Sequence, residues 1–114
     1  MIDYSQQGHK LPLSLVGSRC EAAALGSFLR TSSGPALDSR ALTLALFSLK
    51  ESAVKVISPH IDHYIDLLDL ELHVEGEQLY IAYHDYPARL RLYLAISEQE
   101  IFTFAIDQRE HHAC

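Results

Sequence analysis

The sequence predicts an α+β fold, two to three helices packed on a mainly antiparallel sheet of about four strands, as a single compact domain over residues 1–114. Three observations predict it. Ser18 and Glu21 form a capping box at the start of a helical pattern, residues 37–53 carry a Leu/Ala stripe at helical spacing, and from Leu70 onward the apolar period becomes two. A chain of 114 residues has room for one core.

Residues 1–17 hold Pro12 and two glycines, and the alternation of Leu11, Leu13 and Leu15 suggests a short strand. At Ser18 the pattern changes. The Ser18 and Glu21 side chains can each satisfy a backbone N–H left unpaired in a first helical turn, so a helix from about Arg19 to Arg30 is expected. Leu25, Phe28 and Leu29 form its apolar face, Cys20 reads as a small buried thiol in its first turn, and the run 31–35 ends it. A second helix from Leu37 to Ala53 follows from Ala41, Leu42, Ala45, Leu46, Leu49 and Ala53 on one stripe. Leu42, Leu44 and Leu46 would also suit a strand, but Leu and Ala favour helix where a strand would favour β-branched residues.

Ser58-Pro59 reads as a helix start, Ser58 as cap and Pro59 in the first turn. A short helix to about Leu68 would bury Ile61, Ile65 and Leu68 and set Asp62, Asp66 and Asp69 on its solvated face beside His60 and His63. The strands then run Leu70/Leu72/Val74, Leu79/Ile81/Tyr83 and Leu90/Leu92/Leu94/Ile96, joined by a tight turn at Glu75-Gly76 and a loop at Asp85–Ala88. Alternation puts Glu71, His73, Tyr80, His84, Arg89, Arg91 and Tyr93 on the outer face, with both arginines on the third strand, away from the acidic first hairpin. A fourth strand, Ile101–Ile106, is apolar on both faces, which suits a strand covered on each side or one that pairs with another chain.

The formal net charge of −6 is unevenly spread. Residues 1–57 carry six basic side chains against four acidic ones, and residues 58–114 three against eleven. Between Lys55 and Arg89 there is no Lys or Arg, yet seven acids occur. A surface rich in carboxylates and interleaved with tyrosines suits docking onto a basic protein, with charge steering the encounter and aromatic rings supplying contact. The candidate partner-binding residues are Asp62, Asp66, Asp69, Glu71, Glu75, Tyr80, His84, Asp85 and Tyr86. The expected function is a small acidic binding protein on a basic partner, in the manner of an immunity protein or of an inhibitor of a toxin or nuclease. The blander reading of the same charges is a face that keeps the domain in solution.

Dispersed basic residues disfavour direct nucleic-acid binding. No phosphate loop, Gly-x-Ser-x-Gly, His-Glu-x-x-His or dinucleotide fingerprint occurs, which lowers the expectation of an enzyme, and no cofactor is expected. The alternative from another class is a small metal-dependent enzyme or metal-binding module in which His60 and His63, with Asp66 and His84, share one ion. His111, His112 and Cys114 resemble a ligand set but fall at the chain end, where residues are seldom held. A third reading is a structural subunit that self-associates through the Ile101–Ile106 strand.

Two cysteines are too few for a disulfide framework, no apolar run is long enough for a membrane span, and the N-terminal stretch lacks the pattern of a signal peptide. A cytoplasmic protein is the expectation.

Overall fold

The computed structural model describes residues 2–3, 12–31, 37–97 and 100–107. Its elements are β1 (Ile2–Asp3), α1 (Arg19–Thr31), α2 (Ser39–Ile57), β2 (Leu70–Glu75), β3 (Gln78–Tyr83), β4 (Leu90–Ile96) and β5 (Glu100–Asp107). Four long strands and the two-residue β1 make one antiparallel sheet in the order β1-β5-β4-β3-β2, with α1 and α2 on one face. The expected α+β architecture is the one observed.

Each helix starts where local chemistry satisfies its first N–H groups. Ser18 N–H donates to Glu21 Oε1 at 2.9 Å and Glu21 N–H to Ser18 Oγ at 3.1 Å, the reciprocal pair of a capping box. Asp38 caps α2, its carboxylate accepting from Ala41 N–H at 2.8 Å. α2 is the core helix: Ala41, Ala45, Leu46, Leu49 and Ala53 are buried, as are Leu44 and Ile57. It lies across β4 and β5, while α1 packs against α2 and along β2. Thr103 of β5 meets the hydroxyls of Ser48 and Ser52 of α2, each at 2.6 Å, which satisfies polar groups inside that contact.

The meander follows the expected parity. Leu70, Leu72 and Val74 pair with Tyr83, Ile81 and Leu79, and Leu79 and Ile81 pair with Leu92 and Leu90, so all face the helices. The β2–β3 turn is the two residues Gly76-Glu77, one residue beyond the expected Glu75-Gly76 because Glu75 still pairs with Gln78, and Gly76 holds φ +62°, a value that primed hairpin turns need and that costs glycine nothing.

Three expectations are corrected. Pro12 leads into a 3-10 turn, Leu13–Leu15, where alternation suggested a strand; Val16 and Gly17 N–H groups both reach back to Leu13 C=O, at 2.8 and 2.9 Å. Leu11 lies outside the described residues. Ser58 ends α2 where it was expected to begin a new helix: its N–H still donates to Val54 C=O, but Pro59 has no N–H to continue the ladder. Ser58–His60 forms one 3-10 turn, Ile61 is extended, and no helix runs to Leu68. Aspartates in that stretch compete with helix for backbone donors, as Asp66 does by accepting from Leu68 N–H at 3.0 Å at the start of a second 3-10 turn, Leu67–Asp69. Ile65 is buried as expected, whereas Leu68 is 49 % exposed. Cys20, read as buried, is exposed.

A polar hub, unforeseen from the sequence, ties the layers together. Lys50 projects from α2 into the core at 0 % exposure and donates to Val16 C=O at 2.8 Å, Leu67 C=O at 3.0 Å and Glu21 Oε1 at 3.1 Å. Those are all three donors an ammonium has. Glu21 Oε2 accepts from Leu72 N–H of β2 at 2.8 Å. One carboxylate thereby caps α1, partners the buried ammonium and pairs a backbone donor of β2 that β3 does not use.

Candidate functional site

The loop from Pro59 to Asp69 and the β3–β4 loop from His84 to Arg89 lie at the same end of the sheet, because Leu70 at the start of β2 pairs with Tyr83 at the end of β3. This juxtaposition forms a cleft of about 490 Å³ lined by Pro59, His60, Ile61, Asp62, His63 and Asp85. A second depression of about 340 Å³ shares His63 and adds Phe47, Glu51, Val54, Ser58, Tyr64, Ile65 and Leu67. Tyr64 is 84 % exposed.

Asp85 is the centre of this end. It meets His63 Nε2 at 3.3 Å and His84 Nδ1 at 3.0 Å, while His63 Nδ1 lies 3.0 Å from Tyr64 C=O. The Tyr64 carbonyl favours a protonated His63, and Asp85 and Asp62 add to it, so the imidazole titrates above its usual value although partial burial works against this. Tyr83 is held above the usual phenol range chiefly by burial, with the carboxylates of Asp85 and Asp69 pushing the same way. Asp62 and Asp85 thus both act on His63, and Asp69 and Asp85 both act on Tyr83. Glu71 is paired with Ala82, one position further along the hairpin, and Asp66 caps the 3-10 turn before Asp69. All five carboxylates are exposed, and among the described residues none lies within ion-pair reach of a Lys or Arg.

The remaining candidates are placed elsewhere. Glu75 ends β2 at the far end of the hairpin and is bonded by Arg89, whose guanidinium holds the carboxyl below its usual range. The arginines are therefore not separated from the acidic hairpin: Arg89 extends over the Tyr80 ring, 4.2 Å from its centroid, to reach Glu75. Beneath it Tyr80 is only 7 % exposed, with its hydroxyl bonded to Gln78. Tyr86 is buried too, its hydroxyl donating to Asp107 and its ring 5.7 Å from that of His60. Neither ring offers contact area to a partner. Exposed Tyr64 does, and sequence spacing could not single it out without knowing that 61–66 is a bend rather than a helix.

The cleft lining holds carboxylates and imidazoles but no hydroxyl or thiol nucleophile. The convergence on one ion imagined for His60 and His63 relied on helical spacing that the chain lacks, and among the described residues no group of three or more His, Cys, Asp and Glu side chains is placed to hold a metal. His111, His112 and Cys114 lie outside the described residues. Among the described residues no helix is long and apolar enough to cross a membrane. No protein-family model matches the chain, and comparisons with curated proteins and with solved structures find no match.

Proposed function

We propose that this chain is a small docking protein that binds a basic surface of a protein partner through the end of the sheet marked by Asp62, Asp66, Asp69, Glu71 and Asp85. The observation that carries this reading is a cleft lined by Asp62 and Asp85 and flanked by exposed Tyr64, with exposed Asp66, Asp69 and Glu71 at the same end of the sheet and none of the five within reach of a Lys or Arg among the described residues. Exposed carboxylates with no Lys or Arg beside them among the described residues are available to an external cation, and neighbouring like charges raise the local potential that steers it. A protein site built to hold phosphate, as in a nuclease or a nuclease-like toxin, has the complementary chemistry. Inhibition of such a protein in the cytoplasm is the physiological role proposed.

Capture from native lysate in low salt, and again with salt raised to about 0.5 M, tests the electrostatic origin, since screening shortens the reach of exposed charges to a few ångströms. Expected is a strongly basic protein retained in low salt, released in high salt, and lost when Asp62, Asp69, Glu71 and Asp85 are changed to Lys. Capture indifferent to both salt and charge reversal rejects the reading. The histidines add a pH arm. As pH falls through the raised value of His63, a cation forms between Asp62 and Asp85 and the end loses negative charge, so retention should weaken between about pH 8 and pH 6 while the partner's Lys and Arg stay charged. His63→Gln should flatten that dependence. For the fold itself the sign is opposite: a raised histidine favours the folded form below the ordinary value near pH 6.5 and loses that contribution as pH rises through the raised one.

A further inference from the structure

The two edges of the sheet are built differently. At the β2 edge the outward Leu72 N–H is taken by Glu21, and Glu71, His73 and Glu75 alternate along the strand. Charged side chains and covered donors are the usual devices against unwanted strand pairing. Among the described residues, positions 102–106 of the β5 edge have neither. β1 pairs with Ile101 and Glu100 in that order, so continuing β1 in its own direction covers none of residues 102–107. Phe102-Thr103-Phe104-Ala105-Ile106 carries no charge and no proline, and among the described residues no strand pairs with it on that side. On the outer face Phe102 and Phe104 are 43 % and 55 % exposed, and Tyr93 of β4 stacks on Phe104 with centroids 4.7 Å apart. An aromatic stripe therefore runs up to the open edge.

We infer that this edge receives β5 of a second copy of the chain, antiparallel, to give one continuous sheet across a two-fold axis. Charge selects the occupant. Copies of a chain with net charge −6 repel one another, and four of the five carboxylates of the proposed docking end, Asp62, Asp66, Asp69 and Glu71, lie in β2 or the loop before it. At about 4.8 Å per strand, joining at β5 leaves three strand spacings on each side, so the acidic regions stay roughly 30 Å apart, beyond the Debye length of about 8 Å. Between Glu100 and Asp107 at its ends, β5 carries no acid for a basic partner to pair with. A nucleic acid would need several cations, whereas among the described residues this stretch of the face offers only Arg91, laid 4.8 Å over the Tyr93 ring. A two-fold axis at Ala105 sets Phe104 beside Ile106 of the partner subunit on the outer face and leaves Ile101 to β1. The inward bonds of Thr103 to α2 and of Asp107 to Tyr86 use side chains and are undisturbed. This inference goes beyond the docking proposal and does not depend on it.

Sedimentation equilibrium of the full chain at tens to hundreds of micromolar tests it, with Phe104→Arg as the disrupting variant. Because Phe104 points to solvent, the variant should keep the wild-type circular dichroism, which separates loss of the dimer from loss of the fold. A dimer mass for wild type and a dissociation constant raised at least about tenfold in the variant are expected, as for an apolar contact replaced by a charge set against an isoleucine with a like charge diagonal to it. In a background with Cys20 and Cys114 changed to Ser, Ala105→Cys should oxidise to a covalent dimer, since facing residues at a two-fold bring their Cβ atoms within about 5.5 Å. A wild-type monomer at the highest concentration overturns the inference, as does a dimer unaffected by Phe104→Arg. A dimer that Phe104→Arg dissociates but Ala105→Cys does not cross-link places the contact on the face and overturns the strand pairing.

Discussion

Lys50→Met should destabilise the fold by about 3–5 kcal/mol, a large share of the 5–15 kcal/mol that holds a typical domain together. Methionine follows the apolar stem of lysine, so packing is nearly conserved and the loss isolates the ammonium. Without it Val16 C=O and Leu67 C=O lose their donor, and Glu21 keeps its carboxylate in a site only 15 % open to solvent. An orphaned buried charge costs far more than the intact pair contributes, which is why removing one member is severe even where replacing the whole set with apolar groups is not. Urea unfolding followed by circular dichroism measures it; a loss below about 1 kcal/mol would show that the hub is idle.

Gly17→Ala should cost about 2–3 kcal/mol, the upper part of the range for an overpacked site. A Cβ there would stand 2.5 Å from Glu21 Oε1, 2.9 Å from Leu46 Cδ2 and 3.0 Å from Lys50 Nζ. Two of the three obstacles are the hub itself, so the methyl must separate the ion pair or displace the chain at the entry to α1. The two substitutions should not add: in the Lys50→Met background Gly17→Ala should cost at least about 1 kcal/mol less than alone, because the contact it strains is already gone. Additive losses in a double-mutant cycle would place the strain elsewhere.

What the sequence made legible is what depends on neighbours in the chain. The Ser18/Glu21 capping box and the parity of the strands are each decided within a few residues and stand as read, while the turn falls one residue later than read. Ser58-Pro59 shows the limit, since the same dipeptide opens a helix or ends one according to whether the preceding helix still has burial to gain. Here Ala53 and Ile57 do bury, so α2 runs on. Lys50 falls four residues after Leu46 on the buried stripe, and a lone polar residue there reads as solvated unless Val16, Leu67 and Glu21 are known to surround it. Of the candidate surface, the aspartates and Glu71 are exposed as their charge implies. Glu75, Tyr80 and Tyr86 differ from the open surface expected of them, since only tertiary structure shows Arg89 lying across the Tyr80 ring to reach Glu75 and Asp107 bonded to the Tyr86 hydroxyl.

The Leu72 N–H sits at the rim of the sheet, where amides usually exchange with solvent through local fraying. Its acceptor cannot be released by fraying alone, because the same carboxylate begins α1 and neutralises a cation rooted in α2. Freeing that hydrogen requires the helices and the strand to part together. Deuterium should therefore enter this peripheral position only as fast as the entire molecule opens, so a margin of the fold reports the stability of its interior.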